Sequence, residues 1–336
     1  FQVLLILGAS IISYKFVETP LRKSSWLKLR WQNILLSGGV LATLSGFLYL
    51  NGKTFKGYLY AGKSPIYTTP HYNHCHLPEI KTKTIPSKCG SFSFKDSPTI
   101  YGVGDSHIEQ FGYAISDIAS KSNYNYALLW QSTCFFPASI VQKNTTNCLK
   151  NQTELENNLI RIISKGDIVI VGNYLFNLIT ENESSNLIYY DKYENELSKN
   201  KASEIYKKNF IKFAEEVNNK GAKVVLYIDS LIFPYLDLPG AACTEEWFRK
   251  SYNIPNKCKA SLSSHVKIFD KYFRWREDWE DKESKYVLNA YLYAENCKNN
   301  LCSASNYNDN NHFTYQFAKK VLETFFEENT SLLNGN

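Results

Sequence analysis

The sequence contains no methionine in its 336 residues, and it begins at Phe1 inside an apolar run. We therefore expect it to be the C-terminal part of a longer protein. The run from residue 1 to residue 14 has no basic region before it, which a secretory signal would need. It is also shorter than the roughly 20 residues that span a bilayer. We interpret residues 1–14 as the end of a transmembrane helix that begins upstream.

The sequence also lacks a strong charge of either sign, because 38 basic residues stand against 32 acidic ones for a net charge of +6. The first 50 residues carry +4 of this, from five basic residues against Glu18: Lys15, Arg22, Lys23, Lys28 and Arg30. Only +2 remains for the rest of the chain. A nearly neutral remainder has no basic footprint for a nucleic acid, so we expect no nucleic-acid partner.

Charged residues are absent from Trp31 to Gly52, where the sequence reads WQNILLSGGVLATLSGFLYLNG. This stretch predicts a transmembrane helix at residues 33–51, with aromatic residues near its ends and small residues suited to helix packing. A buried helix of a soluble domain is the alternative, and it fits poorly beside the basic connector at residues 15–32. By the positive-inside rule the connector is cytoplasmic, so residues after 52 are expected outside the cytoplasm.

Cysteine is absent before residue 75, and all eight cysteines follow the predicted span. An even number of cysteines in an oxidising compartment indicates a set of disulfides, although eight cysteines allow 105 pairings. Sequence neighbours suggest four local pairs, which are Cys75–Cys89, Cys134–Cys148, Cys243–Cys258 and Cys297–Cys302.

The segment HYNHCHLP is a candidate zinc site, because it holds His71, His74, Cys75 and His76. Histidine and thiolate are ordinary zinc ligands. Three of these residues are nearly adjacent, which makes tetrahedral ligation by all of them awkward, and no C-x-x-C pair follows. We therefore expect no metal, and we interpret residues 52–95 as an extracytoplasmic linker or extension.

From about residue 96 to 332, short apolar segments alternate with helical patterns. Strands are predicted at 98–103, 124–130, 167–172, 222–229 and 265–270, and helices at 108–121, 150–166, 199–220 and 315–327. Such alternation predicts an α/β fold with a parallel sheet sandwiched by helices. In these sheets the ligand site lies beyond the carboxyl ends of the strands.

That edge of the predicted sheet collects the parts of a hydrolase-type site. Ser106 follows the first strand within GDSH, Ser132 follows the second strand, and Asn173 follows the third. A serine at a strand-to-helix turn has backbone amides nearby, and an asparagine side chain can supply a further donor to an oxyanion. Near the C-terminus, Asp309 and His312 stand three residues apart, so that the histidine could act as the base and the aspartate could orient it.

Each of these assignments has a structural alternative. Ser106 could only cap the helix, and Asn173 could be a turn residue. We interpret Asp105 as a turn or hydrogen-bonding residue rather than the triad acid. We assign His107 a local structural role, with contact to substrate as the alternative. We predict a triad of Ser106, His312 and Asp309, with an oxyanion hole formed at Ser106, Ser132 and Asn173.

In GDSH, VGN and DNNH the chain resembles the SGNH, or GDSL-like, hydrolase family, whose fold is a flavodoxin-like parallel sheet. The family's second block has a glycine, whereas no glycine occurs here between Gly112 and Gly166, and Ser132 or Thr133 occupies its place. YKFVETPLRK followed by one membrane helix, together with GDSHIEQ and STCFFP, resembles the membrane acyltransferase-3 proteins that carry a fused periplasmic SGNH domain.

This resemblance implies O-acetylation of a surface polysaccharide, for instance lipopolysaccharide O-antigen, at the periplasmic side of the inner membrane. The acyl donor would be an acyl-CoA used by a membrane domain whose catalytic helices are missing here, so we expect no cofactor in this fragment. Two alternatives stay open, which are a carbohydrate esterase with the same triad and a noncatalytic glycan-binding domain.

Overall fold

The structure is a computed structural model, and it describes residues 2–19, 30–54, 89–143, 145, 147–179, 188–228, 231–233, 243, 254, 256–264, 267, 285–289, 297–307 and 309–333. The chain divides into two compact units, Phe1–Tyr60 and Ala61–Asn336.

The first unit is helical in its described residues. Helix α1 is Gln2–Ser13, a π-helical turn follows at Tyr14–Glu18, and helix α2 is Arg30–Thr54. By length and hydropathy together, no helix within the described residues qualifies as a membrane-crossing segment. The transmembrane helix that we expected at residues 33–51 is therefore not confirmed.

The second unit is built on a six-stranded sheet with the order β1-β3-β2-β5-β8-β10. Its strands are β1 Gly90–Ser91, β2 Thr99–Gly104, β3 Asn125–Trp130, β5 Ile168–Gly172, β8 Lys223–Ile228 and β10 Lys285–Asn289. All neighbours are parallel except β1, which pairs antiparallel with β3 at the edge. The predicted parallel sheet is confirmed for its first four strands.

Two strands, β1 and β10, account for the differences from the predicted sheet. Strand β1 lies in the segment that we interpreted as a linker, and two residues carry too little periodicity to predict a strand. The fifth parallel strand is β10 rather than the predicted segment 265–270. In that segment Lys267 is helical, and its other residues lie outside the described part of the chain.

Helices cover both faces of the sheet, and the side chains of each strand point alternately to one face and to the other. Ile100, Leu128 and Ile170 point to one face, where they pack with helix α4, Gly112–Lys121, and helix α8, Tyr315–Glu328. Residues such as Val103, Leu129 and Val171 point to the other face and pack with α5, Cys148–Ile162, and α7, Lys199–Asn219. Burial of both faces explains why the central strands read as continuous apolar runs.

The remaining elements are short. Single helical turns are α3 Ser106–Glu109 and α6 Phe176–Ile179, with 3₁₀ turns at Asn256–Cys258, Ala304–Asn306 and Thr330–Leu332. Small three-stranded sheets are formed by β4 Val141–Gln142, β6 Tyr189–Tyr190 and β7 Glu196–Leu197, and by β9 Lys259–Ser261, β11 Cys297–Lys298 and β12 Leu301–Ser303.

Three of the four expected disulfides are confirmed: Cys134–Cys148, Cys243–Cys258 and Cys297–Cys302. For the fourth expected pair, Cys89 is buried, and Cys75 lies outside the described residues. The first bridge joins the loop after β3 to the start of α5, so it fixes a segment at the carboxyl edge of the sheet.

Candidate active site

Ser106 lies at the corner where β2 ends and α3 begins. The corner requires glycine at position 104, whose φ is +144°, because a Cβ there would lie 1.8 Å from the carbonyl oxygen of Gly172 on β5. A hydrogen bond of 3.0 Å from the N–H of Asp105 to the carbonyl of Gly172 holds the two strand ends together. The sharp turn brings Ser106 to the carboxyl edge of the sheet, as the sequence predicted.

The structure brings Ser106, His312 and Asp309 together in one hydrogen-bonded chain. His312 Nε2 lies 2.9 Å from Ser106 Oγ, and His312 Nδ1 lies 2.8 Å from Asp309 Oδ2. A carboxylate only accepts, so we assign the proton to Nδ1, which leaves Nε2 as the acceptor for the serine hydroxyl. This is the arrangement that a serine nucleophile and its base require.

The loop that carries His312 is held from several sides. Asp309 Oδ1 accepts the backbone N–H groups of Asn311 and His312 at 2.9 and 2.8 Å. The N–H of Phe233 donates to the carbonyl of Asn310 at 2.8 Å. Burial alone would raise the pKa of the Asp309 carboxyl. The hydrogen bond from His312, the charge of His312 and the two backbone N–H donors outweigh burial, so the pKa lies below its usual value. Asp309 is thus kept ionised to orient the imidazole.

Asp105 links two strand ends. Its Oδ1 accepts the N–H of His107 at 2.8 Å, and its Oδ2 accepts the N–H of Tyr174 at 2.7 Å. The first bond caps α3, and the second ties the serine corner to the residue that follows Asn173. Asp105 is thus a hydrogen-bonding residue of the turn, as we interpreted it from the sequence.

The side-chain amide of Asn173, which we predicted as an oxyanion donor, forms hydrogen bonds within the protein. Its side chain is buried, and its Nδ2 donates to the carbonyl of Phe136 at 2.6 Å and to the hydroxyl of Tyr206 at 2.8 Å. Its Oδ1 accepts the N–H of Phe136 at 3.0 Å. An amide has two N–H donors, and both are used here. Asn173 therefore anchors the loop after β3 through both N–H donors of its amide.

The backbone N–H groups of Ser106 and Ser132 belong to the oxyanion hole that we predicted from the sequence. Within the part of the chain that the structure describes, the N–H groups of Ser106 and Ser132 donate to no protein acceptor. Ser132 lies in a turn closed by a hydrogen bond from the N–H of Cys134 to the carbonyl of Gln131 at 3.2 Å. The next residue, Thr133, has φ +61°, the left-handed region that glycine adopts most readily. Thr133 thus adopts here the left-handed backbone conformation that glycine favours.

Two further residues lie beside the triad, which are Glu109, for which we predicted no role from the sequence, and His107. Glu109 is half-buried one helical turn after Ser106, and burial raises the pKa of its carboxyl while the charge of His312 lowers it. The buried His107 ring stacks on Tyr174 at 4.7 Å between centroids and lies 4.8 Å from the ring of His312. His107 therefore forms a wall against the base, which accords with the local role expected for it.

Gln110 connects the serine helix to the histidine loop. Its Oε1 accepts the N–H of Phe313 at 2.6 Å, and its Nε2 donates to the carbonyl of His107 at 2.9 Å and to the hydroxyl of Tyr227 at 3.3 Å. The only sequence signal for this contact is the polar residue itself, close after Ser106. The partner is 203 residues away along the chain.

No group of three or more potential metal ligands is found among the described residues. The segment from His71 to His76, which was weighed as a zinc site, lies outside them.

Comparison with known proteins gives the following matches. A family model described as SGNH domain (fused to AT3 domains) matches residues 73–327. Among solved structures, the chain is similar to the periplasmic domain of lipopolysaccharide acetyltransferase from Salmonella ser. Paratyphi A, with a TM-score of 0.48 and 12% identity over 79% of this chain and 98% of that one.

Two further solved structures are similar to the chain. A putative acylhydrolase from Bacteroides fragilis has a TM-score of 0.39 and 12% identity over 71% of this chain and 89% of that chain. TesA has a TM-score of 0.37 and 12% identity over 70% of this chain and 99% of that chain. No curated protein matches the sequence.

Proposed function

The chain belongs to the family of SGNH domains that are fused to AT3 domains, and from this premise we propose that it is an O-acyltransferase. In this proposal Ser106 carries an acyl group, most simply acetyl, and passes it to a hydroxyl of a cell-surface polysaccharide such as lipopolysaccharide O-antigen. The acyl group comes from an acyl-CoA through a membrane acyltransferase domain outside this chain.

The observation that carries the proposal is the continuous hydrogen-bond path from Ser106 Oγ through the His312 ring to Asp309, with distances of 2.9 and 2.8 Å. A serine hydroxyl is a weak nucleophile until a base takes its proton. The two distances fall within the range in which that transfer needs no rearrangement.

The first half-reaction forms the acyl-enzyme. Ser106 Oγ attacks the acyl carbonyl carbon while its proton passes to His312 Nε2, and the carbonyl oxygen becomes an oxyanion. The N–H groups of Ser106 and Ser132 are the proposed donors to that oxyanion. The imidazolium then gives its proton to the leaving group, and the tetrahedral intermediate collapses to the Ser106 ester.

The second half-reaction uses the same groups in the opposite direction. A sugar hydroxyl enters where the leaving group was, gives its proton to His312 Nε2 and attacks the ester carbonyl. Collapse of the second intermediate releases the O-acylated sugar, and Ser106 recovers its proton from His312. Asp309 stabilises the imidazolium in both halves and does not itself take the proton.

The three disulfides support a location outside the cytoplasm, because such bonds persist in oxidising compartments. We propose the periplasm, next to the inner membrane that would hold the acyltransferase domain. We propose no nucleic-acid acceptor, since +4 of the net charge of +6 lies in the first 50 residues and the rest of the chain is nearly neutral.

Hydrolysis is the second candidate activity, and the exposure of the site favours it as a competitor. The side chains of His312 and Asp309 are 26% and 53% exposed, so water can reach the base. An esterase would use the same acyl-enzyme with water as the acceptor. The two activities differ in product, since transfer yields acylated glycan and hydrolysis yields free carboxylate.

The proposal is tested in cells that express the full protein with its membrane domain, by measuring O-acylation of the surface glycan. We expect Ser106→Ala to abolish acylation, while the matched control Ser120→Ala, at an exposed position of α4, leaves it unchanged. Full acylation with Ser106→Ala would refute the nucleophile. Free acetate without acylated glycan from the wild type would favour the esterase.

A further inference from the structure

Gln110 forms a bridge between the two halves of the triad, which come from opposite ends of the domain sequence. Ser106 begins α3, four residues before Gln110, whereas His312 lies on a loop and directly precedes Phe313. The amide of Gln110 bonds to the backbone on both sides, at His107 O and at Phe313 N. The side chain is half-buried, where a lost hydrogen bond costs more than at the surface.

The geometry of this amide fixes two relative positions at once. Gln110 Oε1 lies 2.6 Å from Phe313 N, adjacent to His312, and Nε2 lies 2.9 Å from His107 O, adjacent to Ser106. Nε2 also lies 3.3 Å from the hydroxyl of Tyr227 on β8. One rigid planar group therefore holds the serine corner, the histidine loop and the sheet together.

We infer that Gln110 is a positioning residue that sets the approach of His312 Nε2 to Ser106 Oγ. It touches no reacting atom, and it acts through the backbone on either side of the pair. This role rests on the proposed function, because it presupposes that Ser106 and His312 act as nucleophile and base. Displacement of a catalytic group by about 1 Å can lower a rate about 100-fold, so loss of the bridge has a kinetic effect larger than its effect on folding.

The test uses the full chain, a fluorophosphonate probe that labels an activated serine, and the variant Gln110→Met, which is similar in size but lacks the amide. We expect the maximal labelling rate, kinact, to fall about 10- to 100-fold, with the probe's binding constant changed less than about twofold. In the same variant the Phe313 N–H should exchange faster with deuterium. A merely structural contact would change the thermal midpoint and leave kinact of the folded protein unaltered.

Gln152→Met is the matched control. Gln152 on α5 is buried, and within the described residues its amide has no hydrogen-bond partner, so the same substitution removes no bond. We expect this variant to keep the wild-type kinact. If Gln110→Met does not fold, Gln110→Asn replaces it, because asparagine keeps the polar amide but is one methylene too short to bridge both backbones.

A wild-type kinact in folded Gln110→Met, or in Gln110→Asn, would overturn the inference while leaving the proposed function intact. Failure of the wild-type protein to be labelled at Ser106 would instead overturn the proposed function. Labelling of the wild-type protein at Ser106 therefore distinguishes the two failures.

Discussion

The two sides of the candidate site are built differently. On the nucleophile side, Ser106, His312 and Asp309 contact each other directly through their side chains. On the proposed oxyanion side, the side chain of Asn173 holds the loop after β3, and the proposed donors are the backbone N–H groups of Ser106 and Ser132. We therefore expect the nucleophile side to depend on the identity of its side chains and the proposed oxyanion side to depend on the shape of a loop.

The largest expected effect lies on the nucleophile side. Ser106→Ala should abolish labelling by the fluorophosphonate probe, and His312→Ala should lower kinact by about 10⁴-fold or more, because nucleophile and base act as one unit. Thermal unfolding of both variants checks that the fold persists. Labelling of folded His312→Ala at the wild-type rate would show that the serine is activated by something else.

A smaller effect, mainly on stability, is expected at Asn173. Asn173→Ala leaves the buried N–H of Phe136 without its acceptor, whereas the carbonyl of Phe136 keeps the hydroxyl of Tyr206 as a donor at 3.1 Å. An unsatisfied buried group costs about 1 to 3 kcal/mol, so denaturant unfolding should show a loss of this order. A stable variant whose kinact falls 100-fold would instead indicate a direct oxyanion donor and break the comparison between the two sides.

The loop after β3, which Asn173 anchors, also contacts Glu156 on α5, and this contact predicts a dependence of stability on pH. Glu156 Oε2 accepts the N–H of Ala138 at 3.1 Å, and burial raises the pKa of Glu156 from 4.5 to about 7. A carboxyl with a raised pKa in the folded state stabilises the fold fully below pH 4.5, and this contribution is lost as the pH rises towards 7.

Glu156→Gln keeps an acceptor for Ala138 and removes the titration. We expect it to be more stable than the wild type by about 1 to 3 kcal/mol at pH 8 and to differ little at pH 4. Urea unfolding at the two pH values measures the difference. An equal effect at both pH values would contradict the raised pKa.

The smallest effect is expected at Thr133, whose φ of +61° is unfavourable for a β-branched residue. Thr133→Gly relieves about 1 kcal/mol of backbone strain but loses a similar amount to the greater freedom of the unfolded chain. Because the two contributions nearly cancel, we expect the free energy of unfolding to change little, and kinact to remain within about twofold of the wild-type value. A large loss of kinact would show that the threonine side chain takes part in the site.

The sequence sufficed to predict that Ser106, His312 and Asp309 lie together, because their signals are local. GDSH and D-x-x-H each place functional groups on one short segment, and long apolar runs reveal β2, β3, β5 and β8. Strand β1 has only two residues, and β10 was missed because residues 265–270 show a similar apolar pattern. Sequence neighbours sufficed for three disulfides because each closes a short loop.

The oxyanion side could not be predicted to the same depth. The sequence identifies Asn173 after the third strand but does not determine which way its amide points. That orientation depends on Phe136 and Tyr206, which are 37 and 33 residues distant. The bridge at Gln110 was missed for the same reason, since its partner Phe313 is distant in sequence and contributes only a backbone N–H.

Trapping the acyl-enzyme tests the central claim most directly. The full chain is incubated with p-nitrophenyl acetate, quenched in acid and mapped by peptide mass spectrometry, and a parallel sample is chased with the surface polysaccharide before quenching. We predict an acetyl group on Ser106 that disappears during the chase as acetylated polysaccharide accumulates. Absence of acetyl on Ser106, or its release only as free acetate in the presence of the polysaccharide, would contradict the account.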